Sequence, residues 1–211
     1  MVNYKKAYTL AEVLITLGII GVVAAMTLPT LVNNAKNKEL HSSLVKAYAA
    51  IQTAAQNLYA DEGIILTTYE SQGFVKKFEP YFKVSRHCNY NCLNSTELTN
   101  TYKTYSNEPI SPNLLDDGQF FTEDGMFYMI NNINDQDILI SVDVNGPHKN
   151  PNKWGYDLFT FCLMSNGKII PSGTERKFNT AASCSKNSTN GSNGIGCTFK
   201  ALYDKDYWKN L

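Results

Sequence analysis

The chain has 211 residues and equal numbers of basic and acidic side chains, 19 of each, so its formal net charge is zero. This balance excludes a strongly basic nucleic-acid-binding protein, although it allows a local basic patch. Five cysteines are an odd number, which leaves at least one outside any set of internal disulfides.

The segment from Tyr8 to Val32 is apolar except for one acidic residue, Glu12, and Lys5 and Lys6 precede it. As an α-helix its 25 residues would be about 37 Å long, enough to cross a hydrocarbon core of about 30 Å. An ionised carboxylate in a membrane costs about 2.5 to 3.5 kcal/mol on insertion scales and usually has a function. We therefore expect a partner to neutralise Glu12.

The polar leader MVNYKKA ends at Ala7, before the apolar segment begins. A secretory leader would instead place a small-residue cleavage site after its apolar core, and no such site follows this segment. The apolar helix should therefore stay attached to the mature protein. The two lysines should hold the leader in the cytoplasm, which places the chain after Val32 outside it.

The pattern of residues around the end of the leader resembles the signature of type IV pilins and type II secretion pseudopilins. The matching residues are Ala7, Tyr8, Thr9, Leu10, Glu12 and, 21 residues after Tyr8, Pro29. Pilins mostly have Gly in place of Ala7 and Phe in place of Tyr8. The resemblance covers about the first 30 residues.

The resemblance implies a structural subunit and no enzyme activity. A membrane aspartyl peptidase, the prepilin peptidase, would cut between Ala7 and Tyr8 and methylate the new amine. The subunit would wait in the bacterial inner membrane with its C-terminal domain outside the cytoplasm. An inner-membrane assembly platform would then add it, helix against helix, to a pilus or a periplasmic pseudopilus.

Glu12 has a physical role in such a filament. The amine freed by cleavage is largely cationic at neutral pH, and methylation leaves it able to carry a proton. It could pair with Glu12 of a neighbouring subunit, and an apolar bundle would screen that pair weakly. Alternatively, Glu12 reaches the membrane interface and interacts with the helix N-terminal dipole.

Pro29 lies inside the predicted helix. It removes an amide donor and clashes with the carbonyl of Ala25, so we expect a kink or a local break there. In filaments of the family the helix is often extended between this proline and an upstream glycine, and Gly21 to Pro29 is the matching stretch.

An amphipathic pattern follows Val32 without a linker, so the helix should continue to Glu62 and end at Gly63 in a left-handed cap. The apolar positions are Leu40, Leu44, Tyr48, Ile51, Ala55 and Leu58. We expect five regions: a leader at 1–7, the helix at 8–62 (transmembrane at 8–32, amphipathic at 33–62), an αβ loop region at 63–115, an antiparallel sheet at 116–171, and a C-terminal loop and tail at 172–211.

Strand patterns with tight turns predict a meander of three to four antiparallel strands. The segments are 119–123, 126–130, 137–144, 156–164 and 168–171, with turns at Asp124-Gly125 and Asn166-Gly167. A short helix is expected around 71–82. The residues expected to cover the helix include Phe120, Phe127, Ile138, Ile140, Phe159 and Phe161. The fold class is therefore α+β, a long N-terminal helix packed on a small sheet.

Cysteine spacing favours two disulfides in a domain outside the cytoplasm, Cys88 with Cys92 and Cys184 with Cys197. Cys162, inside a predicted strand, would then be a buried apolar side chain. A zinc site with Cys88, Cys92 and His87 is the alternative, but no second pair of ligands has suitable spacing.

The segment DVNGPHKNPNKWGYD, from Asp143 to Asp157, resembles a loop that holds calcium in some major pseudopilins. Asp143, Asn145 and Asp157 supply hard oxygen donors, although Trp154 stands where an EF-hand needs Glu. Turn chemistry is the other interpretation, since Asp and Asn side chains often bind their own loop backbone. No other cofactor is expected.

Three functional classes fit the chain to different degrees. The first is a structural subunit of a type IV pilus or a secretion pseudopilus, whose partners are copies of itself or related subunits. The second is a minor tip pilin or adhesin that binds a surface ligand through the loops at 88–115 and 183–196. The third, an enzyme, lacks a recognisable nucleophile with its base or a catalytic motif. No nucleic-acid partner is predicted.

Overall fold

The computed structural model describes residues 9–63, 73–88, 92–133, 137–174 and 183–211. Its helices are α1 (Leu10–Glu62), α2 (Gly73–Phe78), α3 (Ser95–Thr101) and α4 (Thr198–Tyr203). Its strands are β1 (Val84–His87), β2 (Gly118–Thr122), β3 (Phe127–Ile133), β4 (Asp137–Asp143), β5 (Leu158–Leu163) and β6 (Ile169–Pro171). The chain divides into two compact units, Met1–Glu39 and Leu40–Leu211.

The first unit contains the apolar part of α1. Among the described helices, α1 alone is long and apolar enough to cross a membrane, as judged by length and composition. α1 continues through Pro29, so of the two expected outcomes, a kink or a local break, the break is absent. Extension of the stretch from Gly21 to Pro29 stays a prediction for the assembled filament.

In the second unit, the rest of α1 packs on the sheet through one stripe of residues. The buried side chains are Leu40, Leu44, Ala47, Ile51, Ala54, Ala55 and Leu58. Tyr48 is half-buried and stacks on Phe161, with ring centroids 5.2 Å apart. Each fully buried Leu or Ile contributes about 1.5 to 3 kcal/mol, so this stripe holds the helix on the sheet. The helix ends at Glu62, and Gly63 has a φ of +79°, the expected left-handed cap.

The six strands form one antiparallel sheet in chain order, β1 to β6. Alternating residues face two different cores, as strand geometry requires. The helix-facing core contains Phe120, Ile138, Ile140, Phe159 and Phe161, as expected. The prediction for Phe127 is wrong, because this residue faces the opposite core, together with Met129 and Trp154.

Two elements lie where the sequence predicts a long loop. β1 has four mostly exposed residues and no apolar alternation, so periodicity could not reveal it, and it extends the sheet beyond the expected region 116–171. α3 begins with a capping box at Asn94 and Glu97. Asn94 Oδ1 accepts hydrogen bonds from the amides of Thr96 and Glu97, and Glu97 Oε2 accepts one from the Asn94 amide. The expected helix around 71–82 is present as α2 and a 3₁₀ turn at Glu79–Tyr81.

The structure joins Cys88 to Cys92 and Cys184 to Cys197 in disulfides, the pairs that the spacing favours. Cys162 is buried in β5, takes part in neither disulfide, and lies 3.6 Å from Ser172 Oγ. The zinc alternative is wrong, because Cys88 and Cys92 bind each other in a disulfide, and His87 Nδ1 is hydrogen-bonded to Glu79 Oε1 at 2.8 Å.

We expect titration of the denatured, unreduced protein to find one thiol per chain, because only Cys162 lies outside the disulfides. Reduction should raise the count to five, the number of cysteines in the chain. The measurement is colorimetric thiol titration in denaturant, with alkylation and peptide mapping to locate the thiol. Five thiols before reduction would contradict the pairing.

Candidate assembly segment and loop site

The beginning of α1 carries a capping box made by Thr9 and Glu12. Glu12 Oε2 accepts hydrogen bonds from the Thr9 amide at 2.8 Å and from the Thr9 hydroxyl at 2.9 Å. The Glu12 amide in turn donates to Thr9 Oγ1 at 3.2 Å. These bonds satisfy amides that a helix N-terminus otherwise leaves without partners.

The capping box uses only one oxygen of the Glu12 carboxylate. Oε1 accepts no hydrogen bond from any residue that the structure describes. The carboxylate can therefore start the helix through Oε2 and still present Oε1 to an incoming cation. Capping and pairing with a second chain are compatible roles for this side chain.

Among the described residues of the first unit, nothing covers the apolar segment of α1. The exposed fraction of its large apolar side chains runs from 43% at Val13 to 79% at Leu10. Isolated apolar side chains are normal on a protein surface, but a contiguous apolar surface of this extent marks a membrane or protein interaction site. The predicted processing residues, Ala7 and Tyr8, lie outside the described residues.

The loop between β4 and β5 brings the predicted residues Asp143, Asn145 and Asp157 together. Both aspartates are fully buried. Asp143 Oδ1 accepts hydrogen bonds from the amides of Asn145 and Gly146, and Oδ2 accepts one from the Tyr102 hydroxyl at 2.8 Å. The two carboxylates thus lie inside the protein with their oxygens turned to donors.

Asp157 binds the same loop from its far end. Its Oδ2 accepts the Asn152 amide at 2.8 Å and its Oδ1 accepts the Lys153 amide at 2.6 Å. Burial and the charge of Asp157 raise the pKa of Asp143 to about 7. Two buried carboxylates this close cannot both stay ionised without cost, so a proton, a hydrogen-bond donor or a cation must lie between them.

The Asn145 side chain lies between the two carboxylates. With its amide nitrogen toward them it donates to Asp143 Oδ1 at 2.8 Å and to Asp157 Oδ2 at 3.3 Å. In the opposite orientation the side-chain oxygen of Asn145 would lie beside the carboxylate oxygens of Asp143 and Asp157, and three such hard oxygen ligands suit calcium. The donor types therefore fit the ion, but the first orientation needs no metal.

Within the described residues, no group of three or more His, Cys, Asp or Glu side chains is placed to hold a metal ion. A second polar group nearby is Asn152 Oδ1, which is buried and accepts no hydrogen bond from the residues that the structure describes. An ordered water would satisfy such an oxygen as well as a cation would. The contacts that the structure does contain are those of turn chemistry.

We expect a calcium chelator to leave the melting temperature of the protein unchanged, because backbone amides, Tyr102 and the Asn145 amide already bind the two carboxylates. The measurement is a thermal melt with chelator and with added calcium, at fixed ionic strength. A lower melting temperature in chelator would assign calcium to Asp143, Asn145 and Asp157, because a ligand that binds only the folded state stabilises it.

The capping role of Thr9 and the contributions of Tyr102 and Asn152 were not predicted from the sequence. Thr9 with Glu12 has the S/T-x-x-E pattern of a capping box, so that signal was available. Tyr102 lies 41 residues before Asp143, so no local pattern predicts their hydrogen bond. Asn152 adopts a left-handed φ of +52°, which no neighbouring residue predicts either. Their roles come from tertiary packing.

Comparison with known proteins supports the interpretation of the N-terminal segment. Residues 2–28 match a family model described as the prokaryotic N-terminal methylation motif. No curated protein and no solved structure matches the chain significantly. The match includes Ala7, Tyr8 and Glu12 and points to a structural subunit rather than an enzyme.

The matched motif and the apolar half of α1 fit anchoring in a membrane. The described residues of the second unit form an antiparallel sheet against the rest of α1, an α+β architecture of the pilin type. The chain therefore carries the prokaryotic N-terminal methylation motif, the signal motif of type IV pilins and pseudopilins.

Proposed function

We propose that this chain is a pilin or pseudopilin, a structural subunit that polymerises through its N-terminal helix. Prepilin peptidase cleaves it between Ala7 and Tyr8 and methylates Tyr8. The subunit is held in the inner membrane with its C-terminal unit outside the cytoplasm. An assembly platform then adds it to a type IV pilus or a type II secretion pseudopilus.

The observation that carries this proposal is the exposed apolar segment of α1 with one carboxylate in its first turn. Lipid can cover the segment before assembly, and neighbouring helices can cover it afterwards. The small residues Gly18 and Gly21 lie within this exposed segment and support the second state. Small residues let helices approach closely where lipid offers no hydrophobic reward for association.

Glu12 gives the assembled state a defined register. The amine created at Tyr8 is cationic and Glu12 Oε1 is open to it, so the amine of one subunit pairs with the carboxylate of the next. An ion pair inside an apolar bundle is weakly screened, and leaving either charge there alone is costly. Subunits that stack out of register would leave both charges unpaired.

The mass of the intact protein recovered from membranes tests the maturation step. We expect a mass lower than that of the full chain by the seven residues MVNYKKA and higher by one methyl group. Fragmentation should place the methyl group on Tyr8. A variant with Ala7→Leu, which has a bulkier residue at the cleavage point, should keep its leader and serves as the matched control. A native chain that still begins with Met1 would contradict the proposal.

A second candidate function, a minor tip pilin or adhesin, is favoured by one feature of the loops. The two loop regions predicted to bind a ligand contact each other through Tyr105, Ser106, Ser188 and Asn193. The Tyr105 amide donates to Asn193 O at 2.9 Å, and the Ser106 hydroxyl donates to Ser188 O. These hydrogen bonds hold the two loop regions side by side, as a binding site made from two separate segments requires.

Abundance distinguishes the two candidates. A major subunit is the dominant protein in sheared filaments, whereas a tip subunit is rare relative to the others. Quantitative mass spectrometry of sheared filaments gives the ratio directly. A low ratio together with loss of adhesion in a deletion strain would favour the tip pilin.

A further inference from the structure

Four Asn-Gly pairs occur in the chain, and their surroundings in the structure differ. They are Asn145-Gly146, Asn166-Gly167, Asn190-Gly191 and Asn193-Gly194. Such a pair can react within itself, because glycine has no Cβ to shield its amide nitrogen from the carbonyl carbon of the asparagine side chain. The nitrogen must be free of other hydrogen bonds, and the side chain must be accessible to water. These two conditions decide which pairs can react.

In three of the pairs the glycine amide already donates a hydrogen bond. Its partners, at 2.8 to 2.9 Å, are Asp143 Oδ1 for Gly146, Met164 O for Gly167 and Ser183 O for Gly194. Asn193 is in addition fully buried. A nitrogen held in such a bond must break it before it can attack a carbonyl carbon, which lowers the rate. These three pairs should therefore react slowly.

The pair Asn190-Gly191 meets both conditions. The Gly191 amide donates no hydrogen bond to any residue that the structure describes. The chain is held here through the Gly191 carbonyl instead, which accepts the Ser111 amide at 3.0 Å. The Asn190 side chain is exposed, so water can reach it. The Gly191 nitrogen is therefore available as a nucleophile.

Ser192 prepares the side-chain carbonyl of Asn190 for attack. Asn190 Oδ1 accepts the Ser192 amide at 2.9 Å and the Ser192 hydroxyl at 2.9 Å. The ring closed by the first bond contains the Gly191 amide, so it keeps the carbonyl carbon near that nitrogen. Two donors on one carbonyl oxygen stabilise the negative charge that develops there during attack, as an oxyanion hole does. For the exposed Asn166, by contrast, the described residues supply one donor, the Lys168 amide at 3.1 Å.

We propose that Asn190 is a modification site at which the chain converts its own asparagine into isoaspartate and aspartate. The Gly191 nitrogen gives its proton to hydroxide and bonds to Cγ of Asn190. The Cγ–Nδ2 bond then breaks, and water returns a proton so that ammonia leaves. The product is a five-membered succinimide, which water opens at either carbonyl to give a carboxylate. The whole conversion consumes one water and releases one ammonia, with no change of oxidation state.

The modification changes the contact between the two loop regions. Isoaspartate lengthens the main chain between Asn190 and Gly191 by one carbon atom, which displaces the Gly191 carbonyl from the Ser111 amide. Both products add one negative charge to a chain whose formal net charge is zero. Modification therefore loosens the loop at 183–196 from the loop region at 88–115. The site lies in the second unit and does not depend on polymerisation.

The test is peptide mapping by mass spectrometry of the full chain in detergent micelles, during incubation in a mildly alkaline buffer. Each conversion replaces NH2 by OH, and fragmentation of the main chain distinguishes isoaspartate from aspartate. We expect Asn190 to convert about tenfold faster than Asn145, Asn166 and Asn193, which is the rate effect of one hydrogen bond. Isoaspartate should be the major product. In denaturant, where the fold is lost, the four pairs should convert at similar rates.

Variants test the roles of the neighbouring residues. Ser192→Ala removes the hydroxyl donor and keeps the amide donor, so it should slow the conversion of Asn190 about threefold. Gly191→Ala places a Cβ beside the attacking nitrogen, so conversion should be lost over the same incubation. Ser185→Ala is the matched control, because this hydroxyl lies in the same loop and its oxygen accepts the Asn187 amide. It should leave the rate unchanged.

Four results would overturn the inference. They are conversion of Asn190 no faster than that of the exposed Asn166, the same preference for Asn190 in denaturant, formation of aspartate alone, and unchanged rates in both Ser192→Ala and Gly191→Ala. Aspartate alone would mean direct hydrolysis of the side chain without a succinimide. The first three results come from the natural chain, so the outcome does not depend on whether a variant folds. Filament assembly is not needed for any of these measurements, so its failure would not affect them.

Discussion

Replacing Glu12 with Gln is expected to abolish incorporation of the subunit into filaments while membrane insertion continues. The substitution removes the charge that pairs with the amine of a neighbouring subunit. It also removes the cost of placing a carboxylate in the membrane, so insertion should not suffer. The measurement is the amount of subunit in sheared filaments relative to the amount in the membrane fraction.

Two further variants separate charge pairing from helix capping. Gln can replace Glu at the third position of a capping box, so Glu12→Gln keeps the first turn of α1 while it loses the charge. Glu12→Ala loses both, and the missing cap costs about 1 kcal/mol. Glu39→Gln makes the same charge change at an exposed position of α1 and serves as the matched control.

If Glu12→Gln assembles normally and only Glu12→Ala fails, the role of Glu12 is to start the helix with Thr9. If both variants assemble normally, the pairing idea is wrong. If Glu39→Gln also fails, assembly depends on the total charge of the helix rather than on the carboxylate at its first turn. Each outcome assigns a different role to the bonds seen between Thr9 and Glu12.

The sequence predicts the parts of the fold that local chemistry determines. The first half of α1 is uniformly apolar and its second half has amphipathic spacing, and both patterns predict a helix. Gly63 predicts where this helix ends. The Asp124-Gly125 and Asn166-Gly167 turns mark hairpins, and Gly125 and Gly167 have φ values of +83° and +76°. These signals lie within a few residues of what they predict.

The elements that were missed depend on distant contacts. β1 exists because its backbone pairs with β2, some 35 residues later, and its own side chains are mostly exposed. Phe127 continues an apolar pattern, but the second core on the far side of the sheet is built from loops that no local pattern reveals.

The free energy of unfolding is expected to fall as the pH rises from about 4 to about 7, because of Asp143. Burial and the charge of Asp157 raise the pKa of Asp143 from 3.8 to about 7 in the folded state. Between pH 3.8 and about 7 the folded state keeps a proton on Asp143 that the unfolded state releases. The contribution of Asp143 to the free energy of unfolding is therefore fully present below pH 3.8 and is lost as the pH rises through about 7.

Urea unfolding across this pH range, with chelator present, measures the effect, and Asp143→Asn isolates it from other titrating groups. The Asn oxygen can still accept the amides of Asn145 and Gly146, while the group no longer titrates and no longer repels Asp157. The variant should therefore lose less stability than the natural chain as the pH rises. Asp206→Asn, which alters an exposed carboxylate paired with Lys209, should follow the natural chain. If the free energy of unfolding changes with pH equally in the natural chain and in Asp143→Asn, the buried pair carries no proton. If added calcium restores the stability of the natural chain at high pH, a cation takes the place of that proton.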